Sequence, residues 1–223
     1  MIFKGFIGFI KVYCRVCYSN RVEIFAVIDS KTYWQCIYCS AKFLDEVHFL
    51  SQDDERAHYC THENVIDDHN YRTFLSKLYT PLKHRLSTHK IGLDYGCGPG
   101  PALCAMLEED GYEMQKFDPF FYPNKILFSK QFDFITCSET VEHFHDPFSE
   151  FELLDKMLNP SGILGIMTNF LTDDSLFENW YYRRDPTHVV FYAKTTFQII
   201  AEQRGWICEF PDKNIALLIK PYL

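Results

Sequence analysis

Four of the chain's nine cysteines are spaced as metal ligands. Cys14 and Cys17 form one C-x-x-C pair, and Cys36 and Cys39 form a second pair after eighteen intervening residues. Two such pairs can bring four thiolates to one centre, which is typical of a structural tetrahedral zinc site. Residues 21–28, between the pairs, have the apolar and β-branched character of a strand. The pattern predicts a zinc ribbon; the alternatives are a thioredoxin-like redox pair and chance cysteines in a strand.

A glycine-rich turn follows a short apolar strand in the middle of the chain. Asp94 lies near the end of that strand. Three glycines follow it at alternate positions: Gly96, Gly98 and Gly100. Glycines allow a tight turn close to a ligand, and Asp118, after the next predicted strand, can accept both hydroxyls of a ribose. A dinucleotide fingerprint would have its third glycine where this chain has Pro101, so the spacing argues against a nicotinamide or flavin dinucleotide.

The alternating glycines with their preceding acid resemble the first motif of the class I S-adenosylmethionine-dependent methyltransferases. Three later segments resemble further elements of that family in the same order. Residues 132–137 resemble its fourth strand, residues 158–168 the turn into its fifth strand, and residues 205–219 its final hairpin. The resemblance implies an α/β fold with a Rossmann-like, mostly parallel sheet of seven strands that ends in an antiparallel hairpin.

The same resemblance implies that S-adenosylmethionine is the cofactor. The turn would contact its methionine half, and Asp118 would hold its ribose hydroxyls. The implied cofactor-binding residues are Asp94, Gly96, Cys97, Gly98, Gly100, Asp118 and Ser138. The family usually places an Asp and an apolar residue after its third strand, beside adenine. Residues 122–130 lack that Asp, so the adenine contact is not assigned.

Acidic and imidazole side chains follow the fourth and fifth predicted strands, where the transferring methyl group is expected, since ligands bind at the carboxyl ends of such strands. Glu139, Glu142 and His143 follow the fourth strand and share one face if that turn is helical. A neutral imidazole can accept a proton near pH 7. We therefore predict His143 and His188 as candidate bases, with Glu142 beside them. A packing role is the alternative for His143.

The same residues could also bind a divalent metal ion. Two carboxylates and two imidazoles are a possible ligand set for an octahedral divalent ion. The set resembles that of the metal-dependent small-RNA 2′-O-methyltransferases and of some quinol O-methyltransferases. The residues at the matching positions are Glu139, Glu142, His143 and His188.

A long insert, residues 169–193, follows the fifth predicted strand. It is predicted to close over the acceptor and to bring His188 towards His143. The side chains suited to chemistry in it are Trp180, Tyr181, Tyr182, Arg183, Arg184, Asp185, His188 and Tyr192. Such a lid could enclose a planar or anionic acceptor. The alternative is a loop that covers the core and has a solvated arginine pair.

Composition limits the partners of the chain. With 22 Lys and Arg against 30 Asp and Glu, its net charge is −8, which argues against a broad nucleic-acid-binding surface. No apolar run approaches the roughly 18 residues of a membrane span. Residues 1–10 resemble a signal peptide, but Lys4 and Lys11 interrupt the apolar pattern and no cleavage site follows. We therefore expect a cytoplasmic chain.

We expect three segments, a zinc ribbon at 1–45, a helical connector at 46–89 and a methyltransferase domain at 90–223. Within the connector, residues 53–56 are predicted to be a solvated loop and residues 71–79 a helix. The expected reaction is O-methylation of a small hydroxylated molecule. One alternative is an RNA methyltransferase whose ribbon grips the substrate through its basic residues, and another is a cofactor-binding adaptor without catalysis. His58, Cys60 and His62 are expected to be loop or surface residues.

Overall fold

The structure, a computed structural model, describes residues 12–61 and 65–222. Its strands are β1 (Val22–Ile28), β2 (Lys31–Cys36), β3 (Lys42–Leu44), β4 (Ile91–Tyr95), β5 (Glu113–Phe117), β6 (Phe132–Ser138), β7 (Leu158–Met167), β8 (Val190–Phe191), β9 (Ile207–Asp212) and β10 (Ile215–Ile219). Its α-helices are α1 (Gln52–Tyr59), α2 (His69–Lys83), α3 (Ala102–Glu109), α4 (Pro147–Met157) and α5 (Lys194–Arg204). The signal-like stretch at residues 1–10, Lys11 and His62 lie outside the described residues.

The larger sheet has the order β5-β4-β6-β7-β10-β9. The strands β5, β4, β6 and β7 pair in parallel, and β10 pairs antiparallel with both β7 and β9. This confirms the Rossmann-like α/β sheet with a final antiparallel hairpin. Within the described residues the sheet has six strands rather than the seven expected. Only thirteen residues separate Asp118 from Phe132, and each parallel crossover takes a dozen or more residues, so an extra edge strand does not fit there.

Helices cover both faces of this sheet. Along β6, Phe134 packs in the core beneath α2 and α3, whereas its neighbour Ile135 packs in the core beneath α4 and α5. Successive residues of a strand point to opposite faces, so a strand buried on both sides is mostly apolar. This three-layer arrangement fixes the carboxyl ends of β4, β5 and β6 along one edge of the sheet.

A smaller sheet has the order β1-β2-β3-β8. Its first three strands come from the predicted ribbon, but its last strand comes from the insert at residues 169–193. Lys42 lies opposite Phe191 and Phe43 lies opposite Val190 in this antiparallel pairing. The N-terminal strands are therefore hydrogen-bonded to a segment that follows them by about 150 residues in the sequence.

Two elements of the predicted connector differ from expectation. The predicted loop at residues 53–56 is wrong, because these residues belong to α1. Ser51 caps this helix by accepting the Asp54 amide, at 3.2 Å, and acidic residues in the first turn favour a helix N-terminus. The predicted helix at 71–79 is confirmed within α2, which also continues past Pro81 to its end. Within the two described ranges, no helix is long and apolar enough to cross a membrane.

Candidate active site

A cavity of about 990 Å³ opens at the carboxyl ends of β4, β5 and β6. The glycine-rich turn after β4 forms one wall, and the acid after β5 forms another. The start of the segment after β6, part of the insert, and side chains of α1 and α2 form the rest of the lining. This is the crevice in which open α/β sheets bind their ligands.

The glycine-rich turn requires glycine at two positions for steric reasons. Gly96 and Gly98 have φ values of +77° and +63°, in the left-handed region that other residues rarely adopt. A Cβ atom on Gly96 would lie 2.1 Å from the Cγ2 atom of Thr140. Gly100 differs from these two, because it is not among the residues that line the cavity.

The Asp118 carboxylate joins the two loops that border this part of the cavity. It accepts hydrogen bonds from the amides of Gly98 at 3.0 Å, Phe120 at 2.9 Å and Phe121 at 3.0 Å. A carboxylate offers about four acceptor positions. Asp118 therefore holds the glycine turn against its own loop and keeps about one position for a ligand.

Asp94 is the buried acid of the pattern. It accepts a hydrogen bond of 2.7 Å from the Thr136 hydroxyl, and burial raises its pKa to about 6. Cys97 and Ser138 line the same cavity. Six of the seven residues that the sequence implies for cofactor binding thus line the same cavity, and Gly100 is the exception.

The acid-histidine group lies at the end of β6. Residues 141–143 form a single 3₁₀ turn. The candidate ligand atoms of Glu142, His143 and His188 lie within 4.8 Å of one another, and the centroids of the two imidazole rings are 4.7 Å apart. The structure therefore brings His188 from the insert to His143. Glu139 lines the cavity beside this group but is not part of it.

Backbone carbonyls determine which nitrogen of each imidazole carries the proton. The Nδ1 atom of His143 lies 3.0 Å from the Thr187 carbonyl, and that of His188 lies 2.7 Å from the Tyr182 carbonyl. A carbonyl only accepts, so each Nδ1 carries the proton and the lone pair of a neutral ring is on Nε2. Both rings have the tautomer of a base or metal ligand that acts through Nε2.

Glu142 is fully buried behind these rings. Its Oε1 atom accepts the Tyr182 hydroxyl, and within the described part of the chain its Oε2 atom has no hydrogen-bond partner. Burial, with the nearby charge of Glu139, raises the Glu142 pKa to about 7. A buried carboxylate oxygen without a partner is costly, and a bound proton or cation would relieve that cost.

The arginines of the insert do not reach the cavity. The guanidinium of Arg183 is buried and donates to the Glu178 carbonyl at 2.8 Å and to the Tyr33 hydroxyl at 3.3 Å, while Arg184 is exposed. The expectation that this pair could clamp an anionic acceptor is therefore wrong, because Arg183 binds the small sheet. The insert residues that line the cavity are Asn169, Tyr181, Tyr182, Asp185 and His188.

Sequence reasoning missed the contribution of α1. The Tyr59 ring lines the cavity, with its centroid 5.4 Å from that of His143 and 5.6 Å from that of Phe120. His58 was expected at a loop or surface, but its Nε2 atom lies 3.3 Å from Asp185 of the insert. The Ser51 cap with an acid three residues later was the available signal for this helix.

The two C-x-x-C pairs fold into matching turns. The Tyr18 amide donates to the Cys14 carbonyl and the Ser40 amide donates to the Cys36 carbonyl, each at 2.9 Å. Tyr18 and Ser40 have φ values of +60° and +63°. The four Sγ atoms lie within 4.8 Å of one another, and all four side chains are buried: Cys14, Cys17, Cys36 and Cys39. Cys60 is exposed and outside this cluster.

Residues 68–209 match the family described as a methyltransferase domain, which is more than half of the chain. The chain belongs to this methyltransferase family. The match begins near the start of α2 and ends within β9, so β1, β2 and β3 precede the matched region. The prediction of a class I S-adenosylmethionine-dependent methyltransferase is confirmed.

Solved methyltransferases share the fold at low sequence identity. One is the 1,6-didemethyltoxoflavin-N1-methyltransferase of Burkholderia thailandensis, with bound 1,6-didemethyltoxoflavin and S-adenosylhomocysteine. It is 12% identical, covers 89% of this chain and 99% of its own, and has a TM-score of 0.51. Another is a candidate sarcosine dimethylglycine methyltransferase of Galdieria sulphuraria, 14% identical, with 71% and 75% coverage and a TM-score of 0.50. No curated protein matches this methyltransferase significantly.

Proposed function

We propose that this methyltransferase methylates a hydroxyl oxygen of a small molecule held beside His143 and His188. The observation that carries the proposal is that His143 and His188 meet on the wall of the cavity that the glycine turn borders, with the buried Glu142 beside them. Both rings have the tautomer of a base acting through Nε2. A hydroxyl acceptor must lose its proton as it attacks, so such a base belongs to this reaction.

The protein has two tasks in methyl transfer, alignment and proton removal. When bound, S-adenosylmethionine supplies the electrophilic methyl carbon. The turn at residues 96–98 and Asp118 hold the cofactor, and the imidazoles face the acceptor. His188 accepts the hydroxyl proton at Nε2, while the Tyr182 carbonyl keeps the ring oriented through Nδ1.

A divalent ion on the same side chains is a second version of the mechanism. Glu142, His143 and His188 would hold it, and it would acidify the acceptor hydroxyl as a Lewis acid. The buried Oε2 atom of Glu142 supports this version, because it has no hydrogen-bond partner among the described residues and could coordinate a cation. Glu139 lies outside the three-residue group and would bind through a water molecule or not at all.

We also propose that the four clustered cysteines hold one zinc ion. Cys14 and Cys39 have Sγ atoms 3.6 Å apart, and so do Cys17 and Cys36. Ligand sulfurs about 2.3 Å from a tetrahedral zinc lie about 3.8 Å from each other, so the cluster fits the ion. Four thiolates close the coordination sphere, and the role is therefore structural.

Transfer of a labelled methyl group to a panel of phenols and catechols tests the reaction. His188→Ala is expected to slow the transfer by about 100-fold or more, because the base or ligand is lost, while affinity for S-adenosylhomocysteine is retained. His84→Ala, at the exposed end of α2, is the matched control. Near-normal transfer by His188→Ala would indicate that the insert only covers the core, and His143 would then be the candidate base.

The same assay separates the two versions. If a divalent ion takes part, chelation abolishes turnover and Glu142→Ala reproduces the His188→Ala loss. If the imidazole alone is the base, chelation has no effect. Cofactor binding without transfer to any hydroxyl compound would contradict O-methylation and favour the adaptor.

A further inference from the structure

The charged side chains that line the cavity are mostly acidic. The described part of the wall has six carboxylates: Glu55, Asp94, Asp118, Glu139, Glu150 and Asp185. Among the described residues, no arginine lines it, and its one lysine, Lys125, is exposed. The remaining titratable cations are three imidazoles: His143, His145 and His188.

The acids are divided between the two halves of the cavity. Asp94 and Asp118 border the glycine turn, which is the cofactor half. Asp185 and Glu139 border the acceptor half, where an Asp185 oxygen lies 3.9 Å from the Nε2 atom of His188. With the buried Glu142 behind the rings, this half has three acidic side chains, so a divalent ion on Glu142 would be balanced by carboxylates and would leave no excess positive charge for the acceptor. A phosphate or carboxylate on the acceptor would be desolvated beside these carboxylates, with no buried lysine or arginine in the described wall to pair with it.

Aromatic rings line the acceptor half. The Tyr182 ring centroid lies 4.1 Å from that of His188, and Tyr59 contacts His143 edge-on. Phe120 lies next to Tyr59, and Tyr181 is an exposed ring on the cavity wall. Ring faces and edges of this kind favour a planar aromatic ligand, and a ring face also attracts a cation.

We infer that the acceptor is an aromatic hydroxyl compound without an anionic group, either uncharged or with a cationic amine. The inference rests on the proposed O-methylation and adds the class of molecule that the cavity selects. It disfavours RNA, since a phosphate backbone needs several basic side chains and the described cavity wall has one exposed lysine and no arginine.

Three catechols with tails of matched size test the inference. They carry a 2-hydroxyethyl, a 2-aminoethyl or a carboxymethyl group at position 4. Their binding is measured by calorimetry in the presence of S-adenosylhomocysteine, with and without manganese. The uncharged and cationic catechols are expected to bind at least roughly tenfold more tightly than the anionic one, because like charges in a desolvated site repel. Equal or tighter binding of the carboxymethyl compound, tighter binding of an oligoribonucleotide, or no binding of any catechol would overturn the inference.

A charge variant checks that the carboxylates of the cavity cause the discrimination. Glu139→Gln is expected to reduce the difference in binding affinity between the anionic and uncharged catechols. Glu202→Gln, on the exposed face of α5, is expected to leave that difference unchanged. An unchanged affinity difference in Glu139→Gln would contradict the claim that the cavity carboxylates cause the discrimination. Binding in the expected order without methyl transfer would refute only the proposed reaction. Methyl transfer that prefers the anionic catechol would refute only the inference.

Discussion

At the scale of single residues, Asp118 has two functions that a sequence motif does not separate. Its carboxylate accepts three backbone amides, which join the glycine turn to the loop after β5. The position that remains is the one a ribose hydroxyl can use. Replacement of Asp118 therefore changes both the shape of the cavity and its contact with the cofactor.

Calorimetry with S-adenosylhomocysteine tests the role of Asp118. Asp118→Ala is expected to lower the affinity at least tenfold, since hydrogen bonds to a charged group contribute roughly 1.5–3 kcal/mol each. Asp118→Asn retains an acceptor oxygen for the loop amides but loses the charge, so its affinity is expected to lie between those of Asp118→Ala and the native chain. Native affinity in Asp118→Ala would refute this placement of the ribose.

Asp94 gives a prediction about pH. Burial raises its pKa to about 6, above the ordinary value of 3.8. Between these two pH values the unfolded chain releases the proton while the folded chain keeps it, so rising pH costs the folded state up to about 3 kcal/mol. Without added cofactor, Asp94→Asn is expected to gain stability relative to the native chain from pH 4 to pH 6.5. Denaturant unfolding measures the difference, and Asp67→Asn, at an exposed turn position outside the helices, is the control.

At the scale of elements, the N-terminal sheet supports the acceptor half of the cavity. β3 pairs with β8, and β8 begins two residues after His188. The Cys39 carbonyl accepts a hydrogen bond from the Thr196 hydroxyl at 2.8 Å, and the Cys17 carbonyl accepts one from the side-chain amide of Gln203 at 2.9 Å. The cysteine cluster is thus held against α5 and the insert by hydrogen bonds.

Metal analysis tests this support. The native chain is expected to contain about one zinc ion, and Cys36→Ser is expected to lose it and to have a lower melting temperature. Faster hydrogen exchange of the β8 amides should accompany the loss, because β3 no longer holds that strand. Cys60→Ser, at an exposed cysteine outside the cluster, should retain zinc and native exchange. Full zinc content in Cys36→Ser would contradict the cluster as a zinc site.

Some of these elements could be predicted from local pattern and others could not. The strands β4 and β6, the glycine turn and α2 have short-range signals, and the structure confirms them. The pairing of β3 with β8 depends on contact between segments far apart in sequence, which no local pattern records. Arg183 was misassigned for the same reason, because one of its partners, Tyr33, lies in the distant N-terminal sheet.

At the scale of the whole molecule, topology explains why the candidate site was largely predictable. The carboxyl ends of neighbouring parallel strands meet at one edge, so residues after β4, β5 and β6 had to lie close together. This reasoning placed Asp94, Asp118 and His143 near one another without knowledge of any distance. Sheet topology could not predict the contribution of α1, since this helix belongs to the connector and enters the site from outside the sheet. The sequence pattern there was also interpreted as a loop.

The proposed function depends on how the cofactor lies in this cavity. A crystal structure of the complex with S-adenosylhomocysteine tests it most directly. We predict a ribose hydroxyl on Asp118, the amino acid part along residues 96–98, and the sulfur directed towards His143 and His188. A sulfur directed away from the two imidazoles, or a ribose held elsewhere, would contradict it.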